Sequence, residues 1–259
     1  MGEPLRVTIL GSGTCVPSLE RSACAVLVEA GAERILLDLG PGTLRRLLEA
    51  GCDFRRIGYL CISHFHPDHT SELVPFLFAS KYPENRRRRS PLTVLAGPGF
   101  RRFFEGLRAV YGPWIDLEPG MLRVEEVDGG GRDQRAFGGV TIDTAPVRHN
   151  PESVAFRITD PGGRSVVYSG DTDVSDSLVD LASGADLFIC ESAFPEGRRV
   201  SGHLTPSLAG EMAARASVGR LVLTHFYPDC EGADLEAECR KRYAGPIVVA
   251  ADLMKLTVP

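Results

Sequence analysis

Between residues 63 and 69 the chain reads Ser63-His64-Phe65-His66-Pro67-Asp68-His69, and no other segment restricts the fold as much. Three imidazoles and a carboxylate fall within six positions of a chain that has only six histidines. Random placement gives such a cluster with a frequency on the order of 10⁻⁴ per chain. Directly before it, Tyr59–Ile62 is a short apolar run that reads as a buried strand. On the extended segment that follows, His64 and His66 are two apart and face the same way. Asp68 and His69 come where the chain turns toward a helix, which swings them toward a second point. Imidazole and carboxylate are the usual ligands of zinc in hydrolytic sites. A polar loop with helix-capping histidines accounts for one such residue, but not for four at this spacing.

The rest of the chain alternates strand-like and helix-like segments. Strands are expected at Val7–Leu10, Ala25–Glu29, Arg34–Asp38, Leu92–Ala96, Val140–Ile142, Ala155–Ile158, Ser165–Tyr168, Leu187–Cys190, Leu221–Leu223 and Ile247–Val249. Leu44, Leu47 and Leu48 recur at helical spacing between Pro41 and Gly51. A second helix carries Leu73, Pro75, Phe76 and Leu77, with the proline tolerable only in the first turn or at a kink. Further helices are expected over Gly99–Leu107 and at about 174–183, 206–217 and 232–242. The one at 206 opens with Thr205 as N-cap and Pro206 at the first helical position. Strands mixed with helices over the whole length point to α/β layers in one domain, residues 1–259.

Composition narrows the classes. Hydrophobic residues make up 43% and charged residues 24%, the balance of a globular chain rather than a disordered one. With 29 Lys and Arg against 34 Asp and Glu, the net charge of −5 lacks the basic footprint of a dedicated nucleic-acid binder. No apolar stretch approaches the ~20 residues of a membrane span, so no membrane partner is expected. The segment from Met1 to Leu10 reads as a short polar lead followed by a strand, without the features of an export signal. Seven cysteines, an odd number without paired spacing, argue against a disulfide framework and for a reducing compartment. A cytoplasmic protein is the expectation.

His-x-His-x-Asp-His after a short strand resembles the signature of the metallo-β-lactamase superfamily. His149 in Val147-Arg148-His149 resembles that family's third motif. Asp171 in Ser169-Gly170-Asp171-Thr172 is similar to its bridging carboxylate, and His225 in Leu223-Thr224-His225-Phe226 to its last ligand. The resemblance runs from Val7 to Met254 and implies an αββα sandwich of two mixed sheets flanked by helices. It also implies two divalent ions, one held by His64, His66 and His149, the other by Asp68, His69 and His225, with Asp171 between them. Two such ions about 3.5–4 Å apart can share a hydroxide that serves as nucleophile at neutral pH. Zinc is the expected ion from the ligand types, with manganese or iron as alternatives because Asp68 and Asp171 offer oxygen.

Cys190-Glu191-Ser192-Ala193-Phe194 and Ser201-Gly202-His203-Leu204-Thr205-Pro206 resemble the paired elements of the ribonuclease Z and phosphodiesterase-like branch. By that resemblance Glu191 orients His203, and His203 donates a proton to the leaving oxygen. Asp68, Glu191 and His203 form the expected catalytic group, with Asp68 also a ligand. Two positions depart from ribonuclease Z. Cys190 stands where that family usually has histidine. The 22 positions from His149 to Asp171 leave room only for a hairpin, where tRNA-processing members carry a long arm. A small phosphodiester therefore ranks first as substrate, and tRNA 3′ processing second. Ester or thioester hydrolysis remains an alternative, and a scaffold with a decayed site is disfavoured by the retained ligands. RNA stays a secondary partner, and a homodimer is left open.

Weaker signals read as structural. Gly11-Ser12-Gly13 has Val16 where a dinucleotide fingerprint needs glycine, so it reads as a turn. The basic block Arg86–Arg89 reads as a solvated loop tip, the alternative being a surface that steers polyanions. The cysteines read as inert thiols. Trp114, Phe103 and Phe104 read as packing residues, or else as pocket lining.

Overall fold

The structure, a computed structural model, describes residues 3–258; Met1 and Gly2 of the polar lead, and Pro259, lie outside the described residues. The chain runs through β1 (Leu5–Gly11), β2 (Ala25–Ala30), β3 (Glu33–Leu37), α1 (Thr43–Glu49), β4 (Tyr59–Ile62), α2 (Pro67–Thr70), α3 (Leu73–Lys81), β5 (Leu92–Ala96), α4 (Phe100–Tyr111) and β6 (Leu122–Glu126). It continues with β7 (Asp133–Phe137), β8 (Val140–Pro146), β9 (Val154–Thr159), β10 (Ser165–Tyr168), α5 (Asp176–Ala182), β11 (Leu187–Glu191), α6 (Pro206–Arg215), β12 (Leu221–Thr224), α7 (Leu235–Arg240), β13 (Ile247–Val249) and β14 (Met254–Val258).

The strands form two seven-stranded sheets, ordered β14-β1-β2-β3-β4-β5-β6 and β13-β12-β11-β10-β9-β8-β7. Both are mixed. In the first, β3 to β6 are parallel and β14, β1, β2 and β3 pair antiparallel. In the second, β10 to β13 are parallel and β7 to β10 pair antiparallel.

Successive strand residues point to opposite faces, and here both faces are covered. Val26 and Val28 of β2 join the core that contains Phe156 and Val167 of the second sheet. Their neighbours Ala25 and Leu27 pack instead with Leu47 of α1 and Phe76 of α3. Each fully buried aliphatic side chain contributes roughly 1.5–3 kcal/mol. Two-sided burial explains why these strands read as unbroken apolar runs. The layers are helix, sheet, sheet, helix: the αββα sandwich.

Three strands escaped the sequence reading: β6, β7 and β14. All are sheet edges. Their sequences (LRVEE, DQRAF, MKLTV) mix charge into the ladder and remain half-exposed, the usual protection of an edge against mispairing. Helix ends also shift. The last helix starts at Leu235 rather than 232, because the Asp234 side chain accepts a bond from the Ala237 amide at 3.0 Å. Thr205 occupies the N-cap of α6 but makes no side-chain cap bond there. Pro75 sits in the first turn of α3, as required.

The basic block is not wholly a solvated tip. Arg88 is buried, donating to the carbonyls of Ile57 (2.6 Å) and Phe54 (2.8 Å). Burial lowers its pKa to about 10, opposed by the charge of Asp53, and the two carbonyls, Ser80 Oγ and the Phe76 ring surround the guanidinium there. Phe104 is buried, Phe103 stacks on Phe65 at 5.0 Å, and Trp114 is 57% exposed beside Phe78 and Tyr82. No helix among the described residues is long and apolar enough to cross a membrane.

Candidate metal centre

Parallel strands bring their C-terminal ends to one edge, where loops can converge. His64 follows β4, His149 follows β8, Asp171 follows β10, Glu191 ends β11, and His225 follows β12 directly. All seven expected ligands come together. Donor atoms of His64, His66, His149 and Asp171 lie within 4.8 Å of one another, as do those of Asp68, His69 and His225.

Asp171 stands between the two groups. Its Oδ1 is 3.3 Å from both His69 Nε2 and His225 Nε2. Its Oδ2 lies 3.6 Å from His64 Nε2 and 3.9 Å from His149 Nε2. Asp68 Oδ2 is 3.6 Å from His225 Nε2. Nitrogen faces nitrogen across the centre: His69 Nε2 to His225 Nε2 and His149 Nε2 to His66 Nδ1 are each 3.3 Å. His64 Nε2 and Asp171 Oδ1 are buried without a hydrogen-bond partner. Ring nitrogens and carboxylate oxygens converging on shared points, two of them buried without a partner, fit cations.

The charges are coupled. Burial disfavours ionised Asp171, but the facing His225, His69 and His64 outweigh it and hold the carboxyl well below the usual range. Burial is likewise overcome at Asp68, where the bond from His225 and the charge of His69 bring its pKa to about 2. His69 is buried between Asp171 and Asp38, whose carboxylates overcome the desolvation and raise its pKa well above the ordinary value. His64 goes the other way. Burial, then the neighbouring His69, keep it neutral and ready to ligate.

Around these donors sits a supporting shell that the sequence reading missed. Asp38 is fully buried at a backbone φ of 56°, just past β3. Its Oδ2 takes His69 Nδ1, Ser63 Oγ and Tyr168 OH, each at 2.7 Å, while Oδ1 accepts the Ser63 amide at 2.7 Å. Ser63 Oγ also touches His64 Nδ1 at 3.1 Å. One carboxylate thus orients rings in both donor groups. The available signal was a carboxylate directly after an apolar strand, Leu37-Asp38. Asn150 Nδ2 lies 3.1 Å from His66 Nε2, and the Gly202 carbonyl 3.0 Å from His149 Nδ1. Gly40 allows the loops to meet: a Cβ there would fall 2.0 Å from the Asp68 carbonyl oxygen.

Glu191 and His203 pair as expected, with Oε1 and Nδ1 3.0 Å apart. The His203 ring centre lies 5.0 Å from that of His149 and 5.8 Å from that of His225. The residue before the glutamate, Cys190, is fully buried in the apolar core. Desolvation pushes its thiol well above the ordinary pKa, as expected for an inert core cysteine. Only Cys15 is exposed.

The profile of the family described as "Beta-lactamase superfamily domain" matches residues 33–226. A protein of Mycobacterium bovis (strain BCG / Pasteur 1173P2) named ribonuclease Z is 32% identical, the match covering 98% of each chain. Among solved structures, the metallo-β-lactamase fold protein YhfI from Bacillus subtilis superposes with a TM-score of 0.85 at 23% identity, covering 98% of this chain and 100% of that one. The short form of human tRNase Z gives 0.78 at 25% identity, covering 98% and 99%. With its fold, its two donor clusters and these relatives in agreement, the chain is a metal-dependent hydrolase that belongs to the metallo-β-lactamase superfamily.

Proposed function

We propose that this chain hydrolyses phosphodiester bonds at a two-ion centre and that its substrate is the 3′ end of an RNA. The relatives named ribonuclease Z support this order of substrates over the one preferred on sequence grounds. The observation that carries the phosphodiester reading is the Glu191–His203 pair set against both donor groups.

His64, His66 and His149 would hold one ion and Asp68, His69 and His225 the other, with Asp171 shared; imidazole-rich sets of this kind suit zinc. Bound there, two divalent ions supply a nucleophile by acidifying water and neutralise charge that develops on the phosphoryl group. Asp38, through His69 and Ser63, keeps the rings aimed. His203 presents Nδ1 to Glu191 and so has Nε2 free for substrate. Burial opposes its charged form, but the hydrogen bond and charge of Glu191 more than compensate and raise its pKa. It therefore holds a proton that it can give to the leaving oxygen.

The test compares a precursor tRNA carrying a 3′ trailer with bis-p-nitrophenyl phosphate, each with and without a chelator. Chelator-sensitive removal of the trailer is expected; equal rates with and without chelator refute the two-ion reading. His203→Ala should lower turnover by about 10²–10⁴-fold with metal content unchanged. Loss of metal would instead make His203 a ligand, a role within reach since its donor atom clusters with those of Asp171 and His225.

One observation favours a small phosphodiester as the second reading. Between His149 and Asp171 the chain forms only the antiparallel pair β9–β10, joined by a turn that Asp160 holds through the Gly162 and Arg164 amides. Hydrolysis of the small diester with an intact precursor tRNA would select it.

A further inference from the structure

Asp173 lies two residues beyond the shared carboxylate Asp171 and touches neither donor group, yet three loops of the centre meet on it. Its backbone amide donates to the Arg148 carbonyl at 2.7 Å, an isolated antiparallel bridge beside His149. Its Oδ2 accepts from the Gly202 amide at 3.3 Å, and its Oδ1 from Arg199. The other side of the Gly202 residue faces the ring: the Gly202 carbonyl is 3.0 Å from His149 Nδ1. A backbone carbonyl there requires Nδ1 to carry the proton, which leaves the Nε2 lone pair for ligation. The same short segment, 199–202, leads directly into His203.

Gly202 itself has no freedom to spare. Its φ is +89°, and a Cβ would lie 3.1 Å from His149 Nδ1. Whatever fixes this residue fixes the His149 ring. The Arg199–Asp173 ion pair is a weak candidate, since Arg199 is half-exposed and such pairs contribute about 0–1 kcal/mol. The bond to the Gly202 amide acts on the residue that touches the ring.

We propose that Asp173 is a positioning residue for the centre: by holding the Gly202 amide it sets the tautomer and aim of His149 and the entry of His203. This rests on the two-ion reading above, but metal affinity reads it out whatever the substrate.

The experiment measures zinc affinity by competition with a chromophoric chelator, together with kcat and KM for bis-p-nitrophenyl phosphate. In Asp173→Ala, affinity at one of the two zinc equivalents should fall about 10-fold or more and kcat by a similar factor, with KM nearly unchanged. Asp173→Asn, which keeps an oxygen for the Gly202 amide, should recover most of the loss. Arg199→Ala should change affinity by no more than about twofold. A folded Asp173→Ala protein with wild-type zinc affinity overturns the proposal, as does an Arg199→Ala protein equally impaired. Should Asp173→Ala fail to fold, Asp173→Ser, one atom shorter and so unable to reach the Gly202 amide as the aspartate does, makes the same test: lost affinity is expected, and retained affinity overturns. A wild-type chain that binds no zinc refutes the two-ion reading instead.

Discussion

Replacing Glu191 by glutamine exchanges one oxygen for an NH₂ group in a side chain that, like Asp38, makes four hydrogen-bond contacts. The carboxylate is 1% exposed and has four partners. Oε1 accepts from the Thr172 amide at 2.7 Å and faces His203 Nδ1 at 3.0 Å. Oε2 accepts from the Leu204 amide at 3.1 Å and the Ala193 amide at 3.3 Å. Glutamine has one oxygen, so one pair must face an NH₂ group. Turned toward Leu204 and Ala193, the oxygen leaves the Thr172 amide without an acceptor and makes His203 Nδ1 accept a proton it should hold. Turned the other way, two buried amides lose their acceptor. An orphaned buried donor costs about 1–3 kcal/mol, so Glu191→Gln should destabilise by about 2–4 kcal/mol. At this chain length that corresponds to a fall in Tm of roughly 6–12 °C. In either orientation His203 loses its anionic partner, and turnover should drop by about 10²-fold. Zinc content should remain two per chain, because Glu191 has no bond to any of the seven donor side chains. Calorimetry on zinc-loaded protein, initial rates and elemental analysis together give the answer. An unchanged Tm with full turnover would refute the satisfaction argument and the assignment of Glu191.

Two further outcomes follow from side chains outside the centre. A thiol reagent under native conditions should modify Cys15 rapidly and the other six cysteines only on unfolding, since burial raises the thiol pKa of all six; more than one fast equivalent would contradict the packing. Arg86→Ala with Arg89→Ala, both at exposed positions, should leave small-diester hydrolysis and stability unchanged, whereas Arg88→Ala should destabilise by several kcal/mol through its orphaned carbonyls; a weakened, salt-dependent RNA cleavage by the double variant would overturn the reading of the exposed arginines as a solvated tip.

The candidate ligands at 63–69 were legible because they carry unusual chemistry directly after an apolar run, and His149, Asp171 and His225 became legible through the superfamily resemblance. His64, Asp171 and His225 each follow a strand by no more than three residues, and a single sequence displays that pattern. The sandwich was legible from the same runs, whose two-sided burial leaves almost no polar residue in β2, β4 or β11. Supporting contacts were not. Asp173 and Gly202 act across 29 positions and Asp38 and His69 across 31, and nothing local marks such pairs. The edge strands β6, β7 and β14 were hidden for the opposite reason: their alternation is diluted by the charges that keep the edges unpaired, whereas the apolar edge β13 was legible. Arg88 looked like its neighbours because burial of one arginine in a run of four depends on which carbonyls lie beneath it.

Pairing of β1 with β14 sets Leu5 opposite Val258 and Ile9 opposite Met254, so the first sheet is finished by a strand from the far end of the described residues. Until β14 is made, the outer rim of β1, with its Val7 and Ile9, has no hydrogen-bonding neighbour on that side. Closure across nearly the whole chain is slow, and an open apolar rim invites intermolecular pairing meanwhile. Nascent copies crowded on one messenger are therefore vulnerable to one another until β14 is made, and shielding that rim until then is the task a chaperone would perform for this polypeptide.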